Sequence, residues 1–97
     1  MGKFDQAKML LQVKKIQKEL QKMSIEVSKG DGAVTIEING EQKIKRVKID
    51  PERVDVDDIR ELEQWIEEAV RDAIQTSQKV AAEKMQPMMG ALGSLGL

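Results

Sequence analysis

The chain has 97 residues, enough for one domain, with no cysteine and no histidine. Disulfide frameworks, thiolate metal sites and an imidazole general base are therefore excluded. The formal net charge of -1 excludes a uniformly basic polyanion binder, yet residues 1–48 hold eleven basic and six acidic side chains and residues 49–97 hold five and eleven.

Residues 3–23 read as an amphipathic helix. Met9, Val13, Ile16, Leu20 and Met23 follow at spacings of 4, 3, 4 and 3, a heptad seam unbroken by Gly or Pro. Lys8, Lys15 and Lys22 repeat every seven residues opposite that seam, with Lys14 and Lys18 on the same side. Leu10 and Leu11 fall off the seam and widen the apolar face.

Strands come next. Ile25 and Val27 alternate with Glu26 and Ser28, and Lys29-Gly30-Asp31-Gly32 supplies a turn. Val34, Ile36 and Ile38 alternate with Thr35 and Glu37, the signature of a half-buried strand. Asn39-Gly40 predicts a type I′ hairpin with positive φ at both centres. The third strand, Lys43 to Ile49, is expected to turn Val47 and Ile49 inward and Arg46 and Lys48 outward, with Lys43 and Lys45 covering the edge. A slip or bulge after the turn would change which set points inward. Asp50-Pro51 ends the sheet.

A second helix opens at Asp55-Val56-Asp57-Asp58, capped by Asp55 or Asp57, and is expected to stop near Met85, ahead of Pro87. The tail "PMMGALGSLGL" carries three Gly and a Pro and reads as flexible. The order α-β-β-β-α predicts an α+β fold with a three-stranded antiparallel sheet and two long helices. Residues 1–86 form the domain and 87–97 the tail. So short a chain has a limited core, and an uncovered sheet face or the helix seam is expected to meet a second copy.

The chemistry points away from catalysis. No serine sits in a nucleophile elbow, Gly30-Asp31-Gly32 matches no phosphate loop, and the cluster Asp55, Asp57, Asp58 and Glu61 lacks calcium-loop spacing, so helix capping explains it. No enzyme, cofactor, metal or small-molecule substrate is expected. No apolar run approaches the roughly 18 residues that span a bilayer. The opening MGKFDQAK is too polar for a signal peptide, and a cytoplasmic protein without membrane contact is expected.

A polyanion site is easier to build. Lys3, Lys8, Lys14, Lys15, Lys18 and Lys22 lie on the first helix, and Lys43, Lys45, Arg46 and Lys48 on one strand. Twelve of the sixteen cations are lysines, which bind phosphate as point charges and read bases poorly. Phe4 and Trp65 are the only aromatics, too few for a single-strand stacking platform. Duplex backbone contact with weak sequence preference is the expectation. A helical protein–protein module without a nucleic-acid role is the alternative.

The helix "QVKKIQKELQKM", the segment "VTIEING" and, most specifically, "RVKIDP" at Arg46 to Pro51 resemble the YbaB/EbfC family of small bacterial nucleoid-associated proteins. The resemblance covers nearly the whole chain. It implies a tweezer-like homodimer with a shared β core and protruding helices, which binds duplex DNA and organises the chromosome or affects gene expression. Met9, Val13, Ile16 and Leu20 on the seam, Ile36, Ile38 and Val47 in the sheet, and Trp65 are expected at the dimer contact.

Overall fold

The computed structural model describes the backbone of residues 3–94 and the side chains of residues 6–88. Its elements are α1 (Lys3–Lys22), β1 (Ile25–Lys29), β2 (Val34–Ile38), β3 (Ile44–Ile49), a one-turn 3-10 helix (Pro51–Arg53) and α2 (Ile59–Ser94). The strands form one antiparallel meander in the order β1-β2-β3. Ile25 and Val27 stand opposite Ile38 and Ile36, and Val47 and Ile49 opposite Ile36 and Val34, so all share one face.

That face is only partly roofed. The first half of α2 lies over β1 and β2, burying Val34, Ile36 and Ile38 against Ala69 and Ala73. Each fully buried Val or Ile there stabilises the fold by about 1.5–3 kcal/mol. Trp65 closes the end of this core. Its ring presses on Gly30, where an added Cβ would lie 2.6 Å from the indole; Gly30 also takes a φ of +64°. At position 30 the two demands together select glycine.

Three sequence expectations are corrected. Asn39 and Gly40 do not take positive φ; among the described residues the left-handed ones are Gly30, Asp31, Gly32 and Gln42. The β2–β3 connection is a five-residue loop closed by the Asn39 N–H to the Lys43 carbonyl at 2.9 Å. The Asn39 side chain is used for bonding instead, accepting from the N–H groups of Glu41 and Lys43.

Strict alternation along the third strand would put Ile44 on the face of Arg46 and Lys48, and that facing also changes. A bulge lets Arg46 oppose Glu37 and Ile44 oppose Ile38, leaving Lys45 as the extra residue. Ile44 therefore joins Val47 and Ile49 on the apolar face, while Arg46 and Lys48 point outward as expected.

The second helix neither starts nor stops where expected. Asp58 caps it, accepting from the Glu61 N–H, while Asp55 accepts from Asp57 in the turn before. α2 then runs through Pro87 to Ser94. An internal proline removes one hydrogen bond and crowds the carbonyl four residues before it. Met88, directly after it, is 5% exposed, so packing holds the helix together past the break.

Candidate nucleic-acid interface

α1 makes its helix packing with α2, antiparallel to its distal half. Gln12, Lys15, Ile16 and Glu19 face Lys84, Pro87 and Met88 across a groove of about 280 Å³. Glu19 and Lys84 approach to 3.8 Å across it. At 1.5 Å per residue, the 36 residues of α2 reach about 54 Å, most of the molecule's 65 Å long axis. The two helices thus form an arm that leaves one end of the sheet.

The root of the arm is a polar knot. The last carbonyls of α1 have no partners within the helix. Gly40 donates its N–H to Leu20 O at 2.8 Å, and Asn39 Nδ2 donates to Gln21 O at 3.3 Å. Ser77 of α2, fully buried, donates to Asn39 O at 2.6 Å and accepts from Gln42 N and Gln42 Nε2, each at 3.1 Å. The hydroxyl's one proton and two lone pairs are all used.

Charge sorts along the long axis. α1 carries six basic and two acidic side chains. In α2, residues 59–74 hold five acids and two bases, whereas residues 75–94 hold two bases and one acid. Residues 50–58 add five acids and one base at the sheet end. The arm is basic and the base acidic.

Lys8, Lys14, Lys15, Lys18 and Lys22 are all exposed on the arm. At 100° per residue they occupy an arc of about 120° opposite the seam, on which Leu20 is buried and Met9, Val13 and Ile16 are half-buried. Five cations on one open stripe, with the seam engaged elsewhere, form a surface suited to a row of phosphates.

Residues 1–92 match the model of the YbaB/EbfC DNA-binding family. The chain belongs to that family. It is 38% identical to a nucleoid-associated protein of Chloroflexus aurantiacus over 84 residues, covering 87% of this chain and 84% of the relative. It is 42% identical to a nucleoid-associated protein of Saccharopolyspora erythraea over 86 residues, covering 89% and 74%. Its fold matches the crystal structure of an uncharacterized protein from Helicobacter pylori with a TM-score of 0.76, at 14% identity, over 86% of this chain and 87% of that one. The YbaB/EbfC family is a DNA-binding and not an enzymatic one. No helix among the described residues is long and apolar enough to cross a membrane.

The basic residues expected to meet DNA do not all fall together. Lys43 is the last residue of the loop that is bonded to the end of α1, so it extends the arm's basic surface at its root. β3 then leads away at about 3.4 Å per residue, carrying Lys48 to the far end of the sheet. Arg46 stands opposite Glu37 nearer the loop end of the strand, and that carboxylate dilutes its field. The side chain of Lys3 lies outside the described residues. Sequence reading passed over Lys79 and Lys84, which sit in the acidic half of the chain but on the basic half of α2. The signal was the thinning of acids after Asp72. Lys29 is a cation of another kind. It is bonded to Asp72 at 2.6 Å, and that hydrogen bond, with the carboxylate's charge, raises its pKa above the ordinary 10.5.

Of the residues expected at a dimer contact, Leu20, Ile36 and Ile38 are buried within the single chain, and Met9, Val13, Ile16 and Trp65 are half-buried. Val47 is 51% exposed, beside Ile44 at 44% and Ile49 at 42%.

Proposed function

We propose that this protein is a nucleoid-associated protein that grips duplex DNA as a homodimer, through phosphate contacts along the helical arm and with weak sequence preference, and so organises the chromosome or affects gene expression. The observation that carries this reading is the exposed lysine stripe of α1, on an arm to which the distal half of α2 adds Lys79 and Lys84. Lysine point charges suit backbone contact more than base readout. Lys3 and the strand cations Lys43, Lys45, Arg46 and Lys48 complete the proposed contact set, together with Lys79 and Lys84.

The homodimer is supported by the apolar row on β3. Ile44, Val47 and Ile49 continue the buried face of the sheet past the roof that α2 provides. An open edge strand with an apolar face invites a second copy of itself. Two arms then act together, and bivalency raises the affinity.

A salt titration of duplex binding tests the reading. With about six phosphates neutralised, log K falls against log salt with a slope of about -5. Absence of binding at low salt, or binding indifferent to salt, would overturn it. Leu10 and Leu11, 57% and 66% exposed on the arm, are the observation that favours the second reading, a helical protein–protein module. Recovery of one defined protein partner after nuclease treatment, with no duplex binding at low salt, would support that module instead.

A further inference from the structure

The loop Asn39–Lys43 has more bonding than a connection between two strands requires. Its own closure uses Asn39 Oδ1, which holds the N–H groups of Glu41 and Lys43 at 2.9 and 3.0 Å, and the Asn39 N–H to Lys43 O. Gln42 Nε2 also donates to Gly40 O at 3.1 Å within the loop, and the other groups point away from the hairpin. Asn39 Nδ2 and the Gly40 N–H take the terminal carbonyls of α1, while Asn39 O and the Gln42 amides take Ser77 of α2. One short loop thus bonds both helices of the arm at the level where they leave the sheet.

The placement is selective. Asn39 is 4% exposed and Ser77 fully buried, so these bonds are shielded from competition with water. Gly40 is needed for proximity, not for φ: a Cβ on it would lie 2.6 Å from Leu20 Cδ2 and 3.1 Å from Leu20 Cα. Gln42 accepts a left-handed φ of +62° while reaching Ser77. Among the described residues α1 has no other hydrogen bond to the sheet or its loops, and its packing is against α2. Ser77 also stands where α2 passes from its acidic to its basic half.

We propose that Asn39, Gly40 and Ser77 are positioning residues that fix the direction of the basic arm relative to the sheet, and so set the number of phosphates the arm can meet at once. This rests on the DNA-binding reading given above. The anchor touches no DNA; it acts by holding α1 still. A freely pivoting arm must pay ordering entropy on each encounter and settles on fewer contacts.

Asn39→Asp separates the anchor from the turn. The carboxylate keeps both acceptor bonds inside the loop but replaces the donor facing Gln21 O with an acceptor. Ser77→Ala removes the α2 side of the knot. The chain has no cysteine, so Gln6→Cys and Glu26→Cys place one spin label on the arm and one on the outer sheet face. Dilution into unlabelled protein isolates the distance within one chain. Both variants are expected to broaden that distance distribution, to weaken duplex binding about fivefold, the equivalent of one net hydrogen bond, and to make the salt slope shallower by about one. A variant that had merely lost folded protein would bind less with an unchanged slope. An unchanged distance distribution in both variants overturns the anchor, whatever binding does. A broadened distribution with unchanged affinity and slope overturns its role in recognition. If the unaltered protein fails to bind duplex DNA at low salt, the DNA reading has failed; the role in recognition falls with it, and the distances alone then decide the anchor.

Discussion

Gly40 donates its backbone N–H to the carbonyl oxygen of Leu20 at 2.8 Å, over a gap that only glycine leaves open. The same carbonyl also accepts the Met23 N–H at 3.3 Å, so the end of α1 is closed partly by its own chain and partly by the β2–β3 loop. Gly40→Ala pushes a methyl into the Leu20 side chain and backbone. It is expected to destabilise the protein by about 1–3 kcal/mol through overpacking. Urea unfolding monitored by circular dichroism checks this. A midpoint equal to that of the parent protein would show that α1 shifts aside at no cost.

The charge stripe makes a prediction on binding that leaves stability alone. Lys14, Lys15 and Lys18 are exposed and make no ion pair among the described residues, so reversing all three to Glu should leave the thermal midpoint nearly unchanged. Loss of three phosphate contacts should flatten the salt slope by about 2.7. Binding should fall on all duplex sequences alike, as read by fluorescence anisotropy on unrelated duplexes. Lys79→Glu should act in the same direction, by about one contact. Loss confined to one sequence would count against backbone recognition.

How much of this was legible in the sequence depends on what each feature depends on. The seam Met9 to Met23 and the alternation Val34-Ile36-Ile38 are written in local periodicity, and both elements form where the spacing puts them. Asn39-Gly40 was legible as a loop, but its use was not. The dipeptide serves helices eighteen or more residues away, and no local rule carries that information. The facing of Ile44 turned on a bulge, which shifts register by one residue. Pro87 was read by its local cost, whereas the burial of Met88 against the arm decided the outcome. The charge split by chain halves was a projection of a different division: α2 crosses from the base to the arm near Ser77, so its lysines belong with those of α1.

Val47 faces the partner in the proposed homodimer, yet it is half-exposed in the single chain. Val47→Asp should therefore leave each chain folded while placing a charge in the apolar contact. Sedimentation velocity is expected to show a monomer. Duplex affinity should drop by about a hundredfold as bivalency is lost. A dimer of unchanged stability would move the contact elsewhere, with the half-buried seam of α1 the next surface to test.

Lys29 and Asp72 join β1 to α2. The lysine's pKa is raised in the folded state by its hydrogen bond to Asp72 and by that carboxylate's charge, with Glu68 adding to it. A raised pKa means that folding favours the charged lysine. Its contribution is complete below the ordinary value of 10.5 and is lost as pH climbs through the higher folded value. Thermal midpoints of the parent and of Lys29→Met should differ by a constant small amount from pH 7 to 9 and converge only as pH climbs past 10.5. The amount is small because both side chains are open to solvent. Persistence of the difference at strongly alkaline pH would mean that the lysine stem, not its charge, holds the contact.

Leu11 does not widen the apolar face of α1, as its place beside Leu10 suggested, but lies in the middle of the lysine arc. On a helix its nearest neighbours are Lys8, Lys14 and Lys15, and it is 66% exposed. It contributes little to the fold, and Leu11→Lys should be tolerated within about 0.5 kcal/mol. If the arc is a phosphate-contacting face, a cation at its centre adds one contact. The salt slope should steepen by about 0.9, and affinity at low salt should rise on every duplex tested. A partner protein seated on Leu10 and Leu11 would respond in the opposite way, since the substitution puts a charge where it needs an apolar anchor. The one variant thus separates the two readings of the arm: tighter, more salt-sensitive DNA binding marks a nucleic-acid face, and unchanged DNA binding with a lost protein partner marks a protein-docking face.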